Sequence, residues 1–166
     1  MSASESPGPT PRRAGPQDAA ALATLRGLML DALAEDPEAP RAADDPDWHA
    51  ATVDWLRERL RDTERFAAFV VDDAGGGPVS CAMGAVSDGA PVPGRAGRLR
   101  GQVNNVSTLP DAQHRGYART CVVAVLEWLE AAGAARVDLT ASPDGLELYR
   151  SLGFRARPWV NMRRES

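Results

Sequence analysis

Chemistry concentrates at Gln113-His114-Arg115-Gly116-Tyr117-Ala118. There a polar run ending Val106-Ser107-Thr108-Leu109-Pro110 meets an apolar stripe of helical period (Ala118, Cys121, Val122, Val125, Leu126, Leu129). A run of strand character followed by that stripe marks a strand-to-helix junction. The first N–H groups of a helix have no internal partner and carry positive partial charge, so they attract phosphate. Gly116 lets a ligand approach the backbone, because no Cβ intervenes. Arg115 adds a full positive charge, and Gln113 further donors. On residue types alone, the segment is either a phosphate or pyrophosphate site or a loop whose glycine serves only its turn.

The elements that must position this junction read as β-α-α-β-β-β-α-β-α-β. Arg12 to Ala14 is a weak first strand, and Pro16-Gln17-Asp18 opens a helix striped by Leu22, Leu25, Met29 and Leu33. Asp45-Pro46 is a cap followed by a first-turn proline, and predicts a second helix to about Arg61 with Trp48, Ala51, Trp55, Leu56 and Leu60 inward. Arg65 to Val71 and Val79 to Val86 read as an antiparallel hairpin across a Gly-rich turn. After a polar loop at 87–100 comes a strand from Gly101 to Thr108, then the long helix ended by Gly133. Val137, Leu139 and Ala141 alternate as a strand, Asp144 to Leu152 forms a short helix, and Phe154 with Trp159 to Arg163 would finish the sheet. The expected fold is a mixed α/β sheet with helices on both faces and a parallel crossover. Residues 1–10 read as a disordered Ser/Pro-rich tail, and 11–166 as one domain.

Composition excludes several classes. All 19 positive charges are arginine, so no P-loop lysine and no Schiff-base lysine exists. A net charge of −4 argues against nucleic acid, and Arg95, Arg98 and Arg100 make only a loose basic cluster. Cys81 and Cys121 lie in apolar runs and read as buried, reduced thiols. No ligand spacing links them to His49 and His114, so no metal site is expected. No run is long enough to span a membrane, and the polar start Met-Ser-Ala-Ser-Glu-Ser does not resemble a secretion signal. The expected location is cytoplasmic.

The motif Gln113-His114-Arg115-Gly116-Tyr117-Ala118 fits the pattern Q/R-x-x-G-x-G/A, and Leu148-Tyr149-Arg150-Ser151-Leu152-Gly153-Phe154 follows it. Together they resemble the GNAT superfamily of N-acetyltransferases. The resemblance is strong over residues 103–154, rests on element order alone over 12–86, and is absent over 87–100. It implies an acetyl-CoA-dependent enzyme that releases CoA, with residues Gln113 to Ala118 around the pyrophosphate. The main chain of Val106, Ser107 and Thr108 would pair with the pantetheine arm. Gln113 stands where arginine is commoner; Arg115 and Arg119 can partly replace the missing charge. Ser142 takes a position where similar enzymes often hold the cofactor with asparagine.

The resemblance also implies that Tyr149 is the general acid for the leaving thiolate; a phenol matches an alkyl thiol in basicity. Similar enzymes often carry a carboxylate base on the cofactor strand. Here Asn104 and Asn105 stand there, and neither takes a proton. His49 is the candidate base, with Asp45, Asp47, Asp54 and Asp138 behind it, and proton loss to solvent is sufficient chemistry. Trp48, Trp55 and Trp159 are either core or an aromatic acceptor pocket suited to cationic amines. The implied acceptor is a primary amine on a small molecule or peptide, and homodimerisation is neither supported nor opposed. The alternative is a silent CoA-binding sensor or subunit.

Overall fold

The computed structural model describes residues 9–164. The tail expected at 1–10 lies mostly outside the described residues. Five strands form one sheet in the order β1-β2-β3-β4-β5. β1 (Arg12–Arg13), β2 (Phe66–Asp72), β3 (Pro78–Asp88) and β4 (Leu99–Thr108) pair antiparallel in sequence order. β5 (Arg136–Asp138) pairs parallel to β4, after a crossover through α3 (Tyr117–Ala131).

β2 and β3 are apolar on both faces because both faces are covered. Phe66, Ala68, Val70, Cys81 and Met83 face α1 (Ala19–Ala32) and α2 (Pro46–Arg59). Val71, Ala82 and Val86 face α3, which buries Cys121, Val122, Val125 and Leu129. Gly84 keeps α3 close: a Cβ there would stand 2.6 Å from Val125 Cγ1. Burial pushes the Cys81 thiol up to about 12 and the Cys121 thiol up to about 11, so both stay protonated. No helix among the described residues is long and apolar enough to cross a membrane.

Three expectations are corrected. α2 starts as predicted, with Asp45 Oδ1 accepting from the Trp48 N–H at 2.9 Å, and Leu56 and Leu60 are buried as expected, but Thr52 and Val53 take the inward places expected of Ala51 and Trp55. Ala51 is exposed and Trp55 is 46% exposed, because α2 packs chiefly on α1 through its other edge. β5 stops at Asp138 rather than Ala141, and the short helix α4 covers only Leu146–Ser151. No strand forms over Trp159 to Arg163, and Trp159 is 75% exposed. Pro158 has no N–H to give a ladder, and β5 offers only three residues to pair with.

The sheet edge is fastened to α1 by one arginine. Arg12 Nε donates to Asp72 Oδ2 at 2.6 Å, and its Nη1 and Nη2 donate to Asp18 at 2.9 and 2.8 Å. Asp18 also accepts from the Gly15 N–H at 2.9 Å. The Arg12 guanidinium holds the Asp18 carboxyl below the usual carboxylate range. A depressed folded pKa means the contribution is complete above pH ~4 and is lost as pH falls through the folded value. Asp18→Asn should therefore lower stability by about 2 kcal/mol at neutral pH and flatten the loss in acid. Urea unfolding at neutral and acid pH measures both.

Candidate functional site

β4 belongs to two ladders of unequal length. It pairs with β5 only from Arg100 to Gln102, and beyond that point no strand among the described residues lies on that side. Against β3 its register slips: Met83 faces Asn104 and Cys81 faces Ser107, so Asn105 and Val106 together oppose Ala82. This is a β-bulge, and it turns Val106 to the α3 face already occupied by Val103. Asn105 sits at φ 52, a left-handed conformation that asparagine tolerates. It is 4% exposed and held on two sides: its Oδ1 accepts from Arg26 Nη1 at 3.1 Å, and its main-chain oxygen accepts from Cys81 Sγ at 3.4 Å.

The opened edge lines a cleft of about 470 Å³. One wall is β4 from Val103 to Thr108. Facing it are Leu139, Thr140 and Ser142, then Tyr149 from α4. The end of α1 closes a third side with Leu28, Met29 and Leu33, so Met29 and Leu33 serve the cleft rather than the core. Tyr149 is the single titratable side chain among the lining residues. Burial pushes its phenol above the ordinary value. Its ring meets Phe154 edge-on at 6.1 Å, and Gly145 makes room for it: a Cβ there would stand 2.8 Å from Tyr149 Cε2.

The cleft leads to the N-terminus of α3 through Gln113, which lines it and donates from Nε2 to the Thr108 carbonyl at 3.3 Å. His114 at φ 61 and Gly116 at φ 79 are both left-handed, and they fold the loop sharply around Arg115. Among the described residues no side chain caps α3, and no acidic residue enters its first turn, so the N–H groups of Tyr117, Ala118 and Arg119 have no partner there. Nothing lies within 4 Å of where a Gly116 Cβ would be, leaving open space over those donors. Arg115 is exposed beside them. Arg119 Nη1 donates to Ser151 Oγ at 2.7 Å, tying α4 and thus Tyr149 to this turn.

The expected residues separate into two groups. Val106, Ser107, Thr108, Gln113, Ser142 and Tyr149 share the cleft, and Arg115 to Arg119 form the turn beside it. Ser142 spends part of its hydroxyl capacity accepting from the Gly145 N–H at 3.3 Å. His49 is not brought to the cleft; its Nε2 lies 3.4 Å from Thr24 Oγ1 on α1. Nor do the reserve carboxylates line it. Asp45 caps α2, Asp54 meets Arg57, and Asp138 meets Arg136 and Arg157. Sequence reasoning missed Gly145 and Arg26. It noted the Asn104-Asn105 pair without reading asparagine's tolerance of left-handed backbone as a bulge signal.

The frame is that of an acetyltransferase. The family model described as the acetyltransferase (GNAT) family matches residues 29–154, and the chain belongs to that family. Solved structures share the fold. A GCN5-related N-acetyltransferase from Ralstonia eutropha superposes with TM-score 0.77 at 22% identity, covering 94% of this chain and 98% of that one. A predicted acetyltransferase with acetyl-CoA from Clostridium acetobutylicum gives 0.76 at 17% identity, covering 93% and 95%. An aminoglycoside N-acetyltransferase in complex with CoA gives 0.69 at 18% identity, covering 98% of each chain. No curated protein matches the sequence.

Gly116 is required by backbone conformation, since its surroundings are empty. Gly116→Ala should cost about 1 kcal/mol of stability through left-handed strain alone. A thermal melt of the variant against the native protein checks it, and a neutral substitution would contradict the strain account.

Proposed function

We propose that the protein is an acetyl-CoA-dependent N-acetyltransferase that passes acetyl directly to a primary amine of a small molecule or peptide. One observation carries the reading: among the described residues Tyr149 is the only titratable group lining a cleft that Gln113 joins to an uncapped helix N-terminus. The donor set fits CoA. The N–H groups at the start of α3, with Arg115, suit a pyrophosphate. The unpaired edge of β4 from Val106 to Thr108 suits an amide-bearing arm that extends a sheet, and the α1 wall suits its apolar parts. Residues 11–166 then act as one acetyltransferase domain.

When bound, acetyl-CoA supplies its acetyl group as a thioester, activated toward amines. Every other contribution comes from this chain. The main chain of β4 fixes the long axis of the ligand. Leu28, Met29 and Leu33 exclude water along one side. Tyr149 holds its proton on Oη through the neutral range, because burial disfavours the phenolate. That proton is available to a thiolate of comparable basicity. Among the described residues no histidine or carboxylate lines the cleft, so the proton of the incoming ammonium goes to water. The same lack of a base favours a second reading, a CoA-binding subunit without turnover.

Acetyl-CoA should raise the melting temperature by mass action, and CoA should do the same. A panel of amines should then show transfer. Tyr149→Phe should lower kcat by about 10- to 10⁴-fold and leave the acetyl-CoA melting shift intact. No shift with acetyl-CoA on folded protein refutes the function, while a shift with no transfer to any amine supports the silent subunit.

A further inference from the structure

A second, smaller pocket of about 230 Å³ opens between α1 and α2, lined by Arg26, Trp48, Ala51, Thr52 and Trp55. Both indoles are seated. Trp48 packs over Gly27, where a Cβ would stand 3.4 Å from its Cζ3, and Trp55 meets Phe66 edge-on at 6.0 Å. Arg26 is the only charged residue in the lining. Among the half-buried arginines, Arg12, Arg59 and Arg136 each meet a carboxylate, and Arg100 donates to the Ala90 carbonyl. Among the described residues Arg26 meets only the neutral Asn105 Oδ1, at 3.1 Å. A guanidinium carries five donors, and that single bond leaves its charge without a counterpart. Asn105 in turn lines the cleft, so Arg26 stands directly behind the bulge that opens it.

We infer that this pocket selects the acceptor, and that the acceptor is an amine that also bears a carboxylate: an amino acid with an apolar side chain. The inference rests on the acetyltransferase reading and deepens it. The guanidinium takes the carboxylate in paired, charge-assisted hydrogen bonds. The indoles take the apolar side chain, and the amine is left toward the cleft. A cationic group in the same pocket would meet Arg26 at short range, which overrides the cation–π attraction that the tryptophans alone suggested. Trp159 does not join this pocket.

The test compares apolar L-amino acids with their carboxamides, which lose the charge at that end and also carry a less basic amine, so that rates are expressed per unprotonated amine, and with spermidine as a polycation. Acetyl transfer is measured as kcat/KM, and acetyl-CoA binding is followed separately by melting shift. The native protein should favour the carboxylate form by roughly 10- to 100-fold. Arg26→Gln removes the charge and keeps a polar side chain. It should collapse that preference through KM, with kcat little changed and the acetyl-CoA shift retained. Equal or better use of the carboxamides or spermidine, or transfer to none of the probes while acetyl-CoA still binds, overturns the inference and leaves cofactor binding standing. Loss of the preference through kcat alone also overturns it, since that would mean the bulge had moved. Failure of acetyl-CoA to bind the native protein removes the reading beneath it.

Discussion

The whole arrangement depends on β4 being unable to satisfy two neighbours at once. It stays paired with β3 along nearly its full length but leaves β5 after three residues. A parallel neighbour continuing to Thr108 would close the edge and abolish the cleft. The extra residue at Asn105 helps prevent that, because a bulge raises local twist and turns the strand away from its neighbour. A strained position of this kind persists only where its surroundings over-determine it. Here the Arg26 guanidinium and the Cys81 thiol do so from the α1 side, and the buried Val103 and Val106 from the α3 side.

The candidate site lies where that opening meets a second unsatisfied feature, the start of α3. Strand edge and helix end share one property: main-chain groups whose hydrogen-bonding capacity no element of the fold consumes. A long ligand with an amide arm and a phosphate end can use both. The left-handed pair His114 and Gly116 bends the chain so that these features adjoin, and Gln113 bridges them. Tyr149 comes from a separate element and is drawn in by the Arg119–Ser151 bond and by the space that Gly145 leaves. Side chains therefore do little of the proposed binding, and a single phenol is the titratable group among the described residues lining the cleft.

Local signals made much of this legible. Asp45-Pro46 marked a helix start and Gly133 a helix end because capping is decided within a few residues. The hairpin of β2 and β3 and the crossover to β5 followed from apolar patterning. The glycine loop stood out because its residue types and spacing are a property of the chain itself, whereas Tyr149 stood out only through the resemblance. The failures share a cause. Trp55 was placed inward on period alone, yet the orientation of α2 is set by how α1 and the sheet receive it. Trp159 to Arg163 have strand composition, but a strand needs a neighbour of adequate length, and β5 is short.

The order of the elements from β1 to α4, the caps and the position of the glycine loop were determined by the sequence alone, because each rests on contacts between residues close along the chain. Tertiary structure decided which groups share a space. It left His49 against Thr24 and outside the cleft, made Tyr149 the sole titratable residue there, and brought Arg26 on α1 to Asn105 on β4. Those relations join residues far apart in the chain, and no local propensity or periodicity encodes them. They arise when both faces of the sheet are covered and the packing admits one register of β4.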